Sequence, residues 1–359
     1  MLLIFFVISY VTNAQELIKI FYPDTTNCVK EEYYALITKQ DTIKHGMYTF
    51  FWKNGNKMQE GKFVHNLMQG KWLIYYEKGN IKSEINFINS KKNGNFKHYF
   101  INGNLQQEGI YKNGQPDGNI LTYFGNGNVK ISGEYKDGYL NGKVIKYQES
   151  GSKTEVSTYR KNVNIGDWEA YYDTGELNYK GKKKNNIFYD TLYVYYKSGH
   201  LQRKCYYSEG KLNGNFLAYF KENNKLSANY NFKDGLIDGK YKSFHPNGNI
   251  AEEGKYINDK RIGLWKSYYP EGQLFSTGNY KDGLYSGIWK TFFENGKVKQ
   301  KGEYINGKAE GKCYFYHLNG NILYTGEYIN DFKEGLWIFY DKIGNIQQKV
   351  TYKHGKIIP

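Results

Sequence analysis

From Gly46 onward the chain repeats one pattern of glycine, large apolar and polar positions every 24 residues. A glycine leads every unit but one. Two residues after it the side chain is usually large, as in Trp72, Phe96, Trp168, Phe216, Trp265, Trp289 and Trp337. Five residues after it stands an aromatic in every unit: Phe51, Tyr75, Tyr99, Tyr123, Tyr147, Tyr171, Tyr195, Tyr219, Phe244, Tyr268, Phe292, Tyr316 and Tyr340. A turn glycine follows, often as Asn-Gly (Asn54-Gly55, Asn102-Gly103, Asn247-Gly248, Asn295-Gly296), then an aliphatic such as Ile81, Leu105 or Leu274. Gly-x-aromatic comes next, as in Gly109-Ile110-Tyr111 and Gly302-Glu303-Tyr304, and a second turn closes the unit. Between the turns the period is two: Trp265, Ser267 and Tyr269 share one face while Lys266 and Tyr268 share the other. Each unit therefore predicts two strands of about six residues.

Stepping from Gly46 gives Gly70, Gly94, Gly118, Gly142, Gly166, Asp190 and Gly214. After one inserted residue at Asn223-Asn224-Lys225 the series resumes at Gly239, Gly263, Gly287, Gly311 and Gly335, thirteen units in all. The second turn is keyed by Gly114, Gly138, Gly210, Gly235, Gly283, Gly307 or Gly355, and elsewhere by Asn66, Ser90, Asn162, Asn186, Asp259 or Asp331. Asn-Gly and Asp-Gly favour two-residue hairpin turns with positive φ at both central positions, so both turns of each unit are expected to be of that kind. Glycine weakens a strand. The strand glycines are expected to be covered by a ring from the neighbouring strand, which recovers buried area over the bare Cα. The predicted fold is all-β: an elongated, twisted antiparallel meander of about thirteen consecutive 24-residue β-hairpin repeats. Residues 15–45 form an N-terminal capping segment, with Glu16 to Tyr22 and Glu31 to Thr38 as strands outside the register, and residues 46–359 form the array.

Composition sharpens this picture. Tyrosine occurs 38 times, glycine 40 times and proline 5 times, and the aromatic share of 18% excludes simple disorder. The net charge is +15, from 50 basic and 35 acidic residues. Only Arg160, Arg203 and Arg261 are arginines, so 47 of the 50 cations are lysines scattered along the chain. Oxyanion readers favour the planar fork of arginine, so the lysines are expected to be a solvated strand face that discourages edge pairing, and nucleic acid is not an expected partner. Leu2 to Val11 is apolar apart from Ser9 and Tyr10, and Thr12-Asn13-Ala14 is a candidate cleavage site, so residues 1–14 are expected to be an export signal although no Lys or Arg precedes the apolar run. The expected location is periplasmic, outer-membrane-associated or secreted, and cytoplasmic if that segment is a buried strand instead.

Nothing in the pattern calls for catalysis, a metal or another cofactor. Cys28, Cys205 and Cys313 make no disulfide framework or zinc pattern. His245 and His317 share a unit position but lie three units apart. No nucleophile elbow, zinc-protease helix or phosphate loop is present. The candidate ligand face is the tyrosine column Tyr75, Tyr99, Tyr123, Tyr147, Tyr171, Tyr195, Tyr219, Tyr268, Tyr316 and Tyr340. It is expected either to pack within the sheet or to grip a protein strand, with an envelope glycan or lipid surface as alternatives.

Gly263-Leu264-Trp265-Lys266-Ser267-Tyr268-Tyr269 followed by Gly278-Asn279-Tyr280 resembles the MORN (membrane occupation and recognition nexus) repeat, more closely its bacterial variant, and the resemblance covers about Gly46 to Gly355. It implies consecutive β-hairpins that act as a non-enzymatic binding scaffold. Many bacterial members are labelled as YwqK-type antitoxins, which implies an antitoxin-like alternative that sits badly with an export signal. Choline- and glucan-binding wall repeats also mix Trp, Tyr-Tyr and Gly, but with a shorter period and a contiguous Trp-Tyr-Tyr. The unit at Asp190 departs from the pattern, with Cys205 in place of the second glycine, and Ile120, Val144 and Cys313 replace the first aromatic of their units.

Overall fold

A computed structural model describes residues 15–23, 27–38 and 40–359. The expected export signal, residues 1–14, lies outside the described residues. Every described regular element is a β-strand, thirty in number. They fall into two units, residues 1–175 and 176–359, and within each the strands run as an antiparallel meander of the predicted hairpins.

The strands are longer than the expected six residues. The first strand of a unit usually has nine (Leu67–Tyr75, Lys260–Tyr268) and the second eight (Lys57–Val64, Leu274–Lys281). The reason is that the leading glycine does not start its strand; it is a bulge inside it. Glu60 pairs with Leu73 and Lys62 with Gln69, so the single residue Gly61 stands against Gly70, Lys71 and Trp72. On its other edge the same strand pairs without a break, Gly70 with Phe87 and Trp72 with Ile85. The bulge places Gly70 at φ 71°, where a side chain is strained, and all thirteen leading positions have positive φ. Asp190, the one departure, holds φ 64° as well, and its carboxylate accepts the Thr191 N–H at 2.8 Å.

The two turn families differ from each other. The second turn is the predicted one. Asn113 and Gly114, Asp282 and Gly283, and Asn306 and Gly307 all have positive φ. Where the second of these residues is not glycine, its side chain does a job that glycine cannot. Asn66, Ser90, Asn162, Asp259 and Asp331 each accept, through a side-chain oxygen, the N–H of a residue 22 positions earlier. The Asn-Gly turns depart from expectation. Only the glycine is left-handed there, and Trp52 N–H to Asn56 carbonyl (2.8 Å) with Gly55 N–H to Trp52 carbonyl (2.9 Å) closes a three-residue loop with a glycine bulge. Asn is needed for its side chain rather than for its φ. Asn54 Oδ1 accepts the Asn56 N–H, while the amides of Asn54 and Asn56 donate to the carbonyl of Glu77 in the next such loop. The same bridge recurs at Asn126 and Asn128, Asn247 and Asn249, and Asn319 and Asn321. The inserted residue widens one loop, closed by Phe220 and Lys225, without breaking this ladder, since Asn223 still reaches Pro246.

The core is the column two residues after the leading position. Trp72, Trp265 and Trp337 are at most 1% exposed. In the N-terminal unit Tyr33, Tyr48 and Trp72 pack with Phe63 and Phe87, and Ile85, Phe96 and Ile120 continue the row. The expected ring cover is present at four second-strand glycines, whereas Gly133, Gly181 and Gly302 lie against Val144, Leu192 and Cys313. A Cβ on Gly61, Gly254, Gly278 or Gly326 would overlap the indole of Trp72, Trp265, Trp289 or Trp337 respectively. It does not explain the leading glycines, several of which have open space where a Cβ would stand. The strand Val29–Ile37, expected outside the register, follows it: Tyr33 pairs with Tyr48 and the bulge recurs before Ala35, so Tyr33 stands where later units have glycine. At the other end Lys356–Ile358 pairs with the last long strand.

Candidate interaction surface

Alternation puts the tyrosine column on the face opposite the tryptophan core. The bulge and the following regular pairing fix its register, so each column ring meets the side chain 15 residues earlier on the preceding second strand. Where that residue is glutamate the phenol donates to it. Tyr99 bonds Glu84 at 3.0 Å, Tyr123 bonds Glu108 at 2.6 Å, Tyr268 bonds Glu253 at 2.8 Å, and Tyr75 bonds Glu60. A lysine completes each set: Lys71 with Glu84 at 2.6 Å, Lys97 with Glu108 at 3.7 Å, Lys242 with Glu253 at 3.2 Å and Lys57 with Glu60 at 2.6 Å. Tyr171 bonds Glu169 on its own strand instead. Before Tyr147, Tyr195, Tyr219, Tyr316 and Tyr340 that place holds Ser132, Lys180, Lys204, Lys301 and Thr325, so the triad is interrupted. All ten column tyrosines are half-buried, neither a free aromatic strip nor a sealed core.

The pairing is visible in the acid–base chemistry. Burial, then the bond to a carboxylate, pushes the phenols of Tyr99, Tyr123 and Tyr268 up to about 12. The Tyr268 hydroxyl and Lys242 hold Glu253 below the usual carboxylate range, and Lys71 and Tyr99 do the same for Glu84.

The residue after the column forms a second zipper. Tyr76, Tyr196 and Tyr269 donate to the carbonyls of Tyr99, Tyr219 and Phe292, at 2.7, 3.1 and 2.9 Å. His245 and His317 take the same place, each with Nε2 at hydrogen-bond distance from a carbonyl, Tyr268 at 2.9 Å and Tyr340 at 3.1 Å. Their shared position thus has a structural use. Cys205 and Cys313 are buried with their thiols against backbone carbonyls, and burial raises both, Cys313 to about 11. Among the described residues no group of three or more His, Cys, Asp or Glu is placed to hold a metal.

Two features escaped the sequence reasoning. Some cations are not solvated but cap core rings from the position two before the leading residue. The Arg261 guanidinium lies 4.1 Å from the Trp265 ring centre, and the ammonium groups of Lys333 and Lys44 lie 4.3 Å from Trp337 and 4.6 Å from Tyr48. Their spacing of whole units from one another was the available sign. Secondly, Leu236, Ile257, Leu284, Ile305, Ile329 and Phe332 flank successive second turns of the C-terminal unit and are all more than 40% exposed. Four of them pair with a lysine across the turn, Leu236 with Lys233, Ile257 with Lys260, Leu284 with Lys281 and Ile305 with Lys308.

Bulged hairpins in constant register, a shared ring column and turn-to-turn ladders define a tandem β-hairpin repeat protein. The sequence profile described as the MORN repeat variant matches residues 68–89, 92–113, 237–258, 261–282, 285–306, 309–330 and 333–354, so the chain carries seven repeats of that family. Repeats of this family are generally protein or membrane interaction modules and are typically non-enzymatic. Among curated proteins none matches the chain. Solved structures with similarity include a TcdB2-TccC3-Cdc42 crystal structure (11% identity, 96% of this chain and 26% of that chain, TM-score 0.16). A TcdB2-TccC3 structure without its hypervariable C-terminal region is also similar (12% identity, 96% of this chain and 22% of that chain, TM-score 0.16). The chain spans about a quarter of the length of the solved chains it matches.

Proposed function

We propose that the protein is an exported, non-catalytic scaffold that holds an extended protein partner along its tyrosine face. The observation that carries this reading is the Tyr–Glu–Lys triad at Tyr75, Tyr99 and Tyr123, which sets a phenol, a carboxylate and an ammonium together in three consecutive repeats of the N-terminal unit. Phenols fixed by carboxylates are rigid, and rigid half-buried aromatics flanked by charge bind with little further loss of side-chain entropy. Export rests on the apolar run Leu2 to Val11. Capture of a partner from envelope extract by the chain, lost when Tyr75, Tyr99 and Tyr123 are replaced together by alanine in a folded protein, supports the reading. Equal capture by the triple variant refutes it. N-terminal sequencing of the mature protein is expected to begin at Gln15, and a retained Met1 refutes export.

A second reading has its own observation. The exposed apolar row from Leu236 to Phe332, paired with Lys233, Lys260, Lys281 and Lys308, has the composition of an edge that rests on an anionic lipid surface. Salt-sensitive sedimentation with anionic vesicles, weakened by Leu284→Ser with Ile305→Ser, is the result this reading expects.

A further inference from the structure

We propose that the hairpin around Trp289 is an aromatic cage for the quaternary ammonium group of a small ligand. This goes beyond the scaffold reading, since it lies on the tryptophan face and takes a small cation.

Four of the thirteen units show what this place can hold. Position 285 is equivalent to 44, 92, 261 and 333, where a cation lies over a ring, whereas most other units carry an apolar residue there, such as Met68, Leu212 or Ala309. Arg261 covers Trp265 and Tyr280; Lys333 covers Trp337 and Tyr352; Lys44 covers Tyr33 and Tyr48. At 285 the residue is instead a tyrosine. Tyr285 stands edge-on to Trp289, with ring centres 4.3 Å apart, and 5.4 Å from Tyr304. Trp289 is consequently not sealed, whereas Trp265 and Trp337 are.

What opens is a cavity of about 170 Å³. Its aromatic walls are Phe275, Tyr285, Trp289 and Tyr304, and Phe275 and Tyr285 are 39% and 40% exposed at its mouth. Its remaining lining is Ser276, Thr291 and Gln300, so no formal charge faces the space. Thr291, like Thr122, Ser243 and Ser267 in other units, is small where Phe50, Ile74, Phe315 and Phe339 are large, and here it lines the cavity. Arg261, which also donates to the Tyr280 hydroxyl at 3.1 Å, is forked by Glu252 at 2.7 and 2.9 Å.

Ring faces without a carboxylate select a particular cation. A primary ammonium keeps its water unless strong acceptors replace it. A trimethylammonium is weakly hydrated, spreads its charge over methyl groups and gains from several ring faces at once. The ligand class is therefore a choline-like headgroup, free or carried on a lipid.

The test uses the full chain and titrates choline and tetramethylammonium against its tryptophan fluorescence, with ethanolamine and glucose at equal ionic strength as comparisons. Saturable quenching by the two quaternary ions is expected, with ethanolamine and glucose weaker. Tyr285→Lys supplies the internal cation that sister units carry, so it should fold and weaken choline binding by about tenfold or more. Tyr285→Phe keeps the ring and should bind choline as the parent does. Phosphatidylcholine vesicles that bind the parent but not Tyr285→Lys identify a lipid source, and binding of free choline alone identifies a soluble one. No saturable quenching, equal choline binding by Tyr285→Lys, or glucose binding as well as choline overturns the proposal.

Discussion

Trp265 lies over Gly254 so closely that a Cβ on the glycine would fall inside the indole. The pair is eleven residues apart in sequence and face to face across the bulge, and it recurs as Gly61 with Trp72, Gly278 with Trp289 and Gly326 with Trp337. The remaining core tryptophan, Trp168, faces Ser157. Larger partners stand only opposite rings smaller than an indole, Ile85 with Phe96, Cys205 with Phe216 and Tyr230 with Tyr241. An indole in the column thus leaves room for no more than glycine or serine opposite it on the preceding strand.

This yields a contrast between two glycines of identical repeat position. Gly254→Ala should cost about 1–3 kcal/mol, because the indole must move. At Gly302 a Cβ would stand 3.7 Å from Cys313, an ordinary contact. Gly302→Ala should be neutral or stabilising by up to about 1 kcal/mol, since alanine loses less backbone entropy. Urea unfolding of both variants measures the difference.

The second turns give a backbone prediction. Gly283 has φ 85° and open space around it, so Gly283→Ala is sterically free but conformationally strained and should cost about 1–2 kcal/mol. Gly283→Asn should recover much of this. Asn66 holds φ 63° in the same place and accepts the N–H of Lys44 at 2.7 Å, and the N–H of Arg261 is the corresponding donor. Thermal denaturation of the two variants should rank asparagine above alanine.

The tyrosine column predicts a pH signature. Glu253 is held low by Tyr268 and Lys242, so its pairing stabilises the fold above the unfolded carboxylate value and is lost as pH falls through the lowered folded value. Tyr268 is raised to about 12, so its contribution is full below the unfolded phenol value near 10 and lost as pH rises through about 12. Tyr268→Phe should let the Glu253 carboxyl titrate closer to its ordinary range by NMR. The pair is only half-buried and screened by solvent, so the stability change at neutral pH should stay below about 1 kcal/mol.

The thiols should react in two classes. Cys28 is half-buried, whereas Cys205 and Cys313 are buried and raised by burial. A thiol reagent should therefore label one cysteine in the native protein and the other two only on unfolding.

The repeat and the strand number per unit were legible because each is a local rule applied thirteen times, and the ring over the second glycine was legible in the units that pair it with tryptophan. Turn geometry was half legible. Asn-Gly is compatible with two loop types, and the choice at Asn54-Gly55 follows from a bond to Glu77 in the next loop, which no single unit contains. The leading glycines read as strand positions needing cover because sequence spacing does not show that Gly61 faces three residues. The column could be named but its environment could not. Whether Tyr99 is bare or bonded depends on the register that brings Glu84 alongside it. The cations over Trp265 and Trp337 were hidden among lysines that are otherwise on the surface, since composition does not say which ammonium lies against a ring.

The most direct test of the shared-volume account is a double-mutant cycle at Gly254 and Trp265, read by chemical denaturation. Gly254→Ala and Trp265→Phe should each destabilise the protein. Together they recreate the small-residue-under-phenyl pairing of Cys205 with Phe216, so the double variant should be more stable than Gly254→Ala alone, with a coupling of about 1 kcal/mol or more. Costs that simply add would contradict the account.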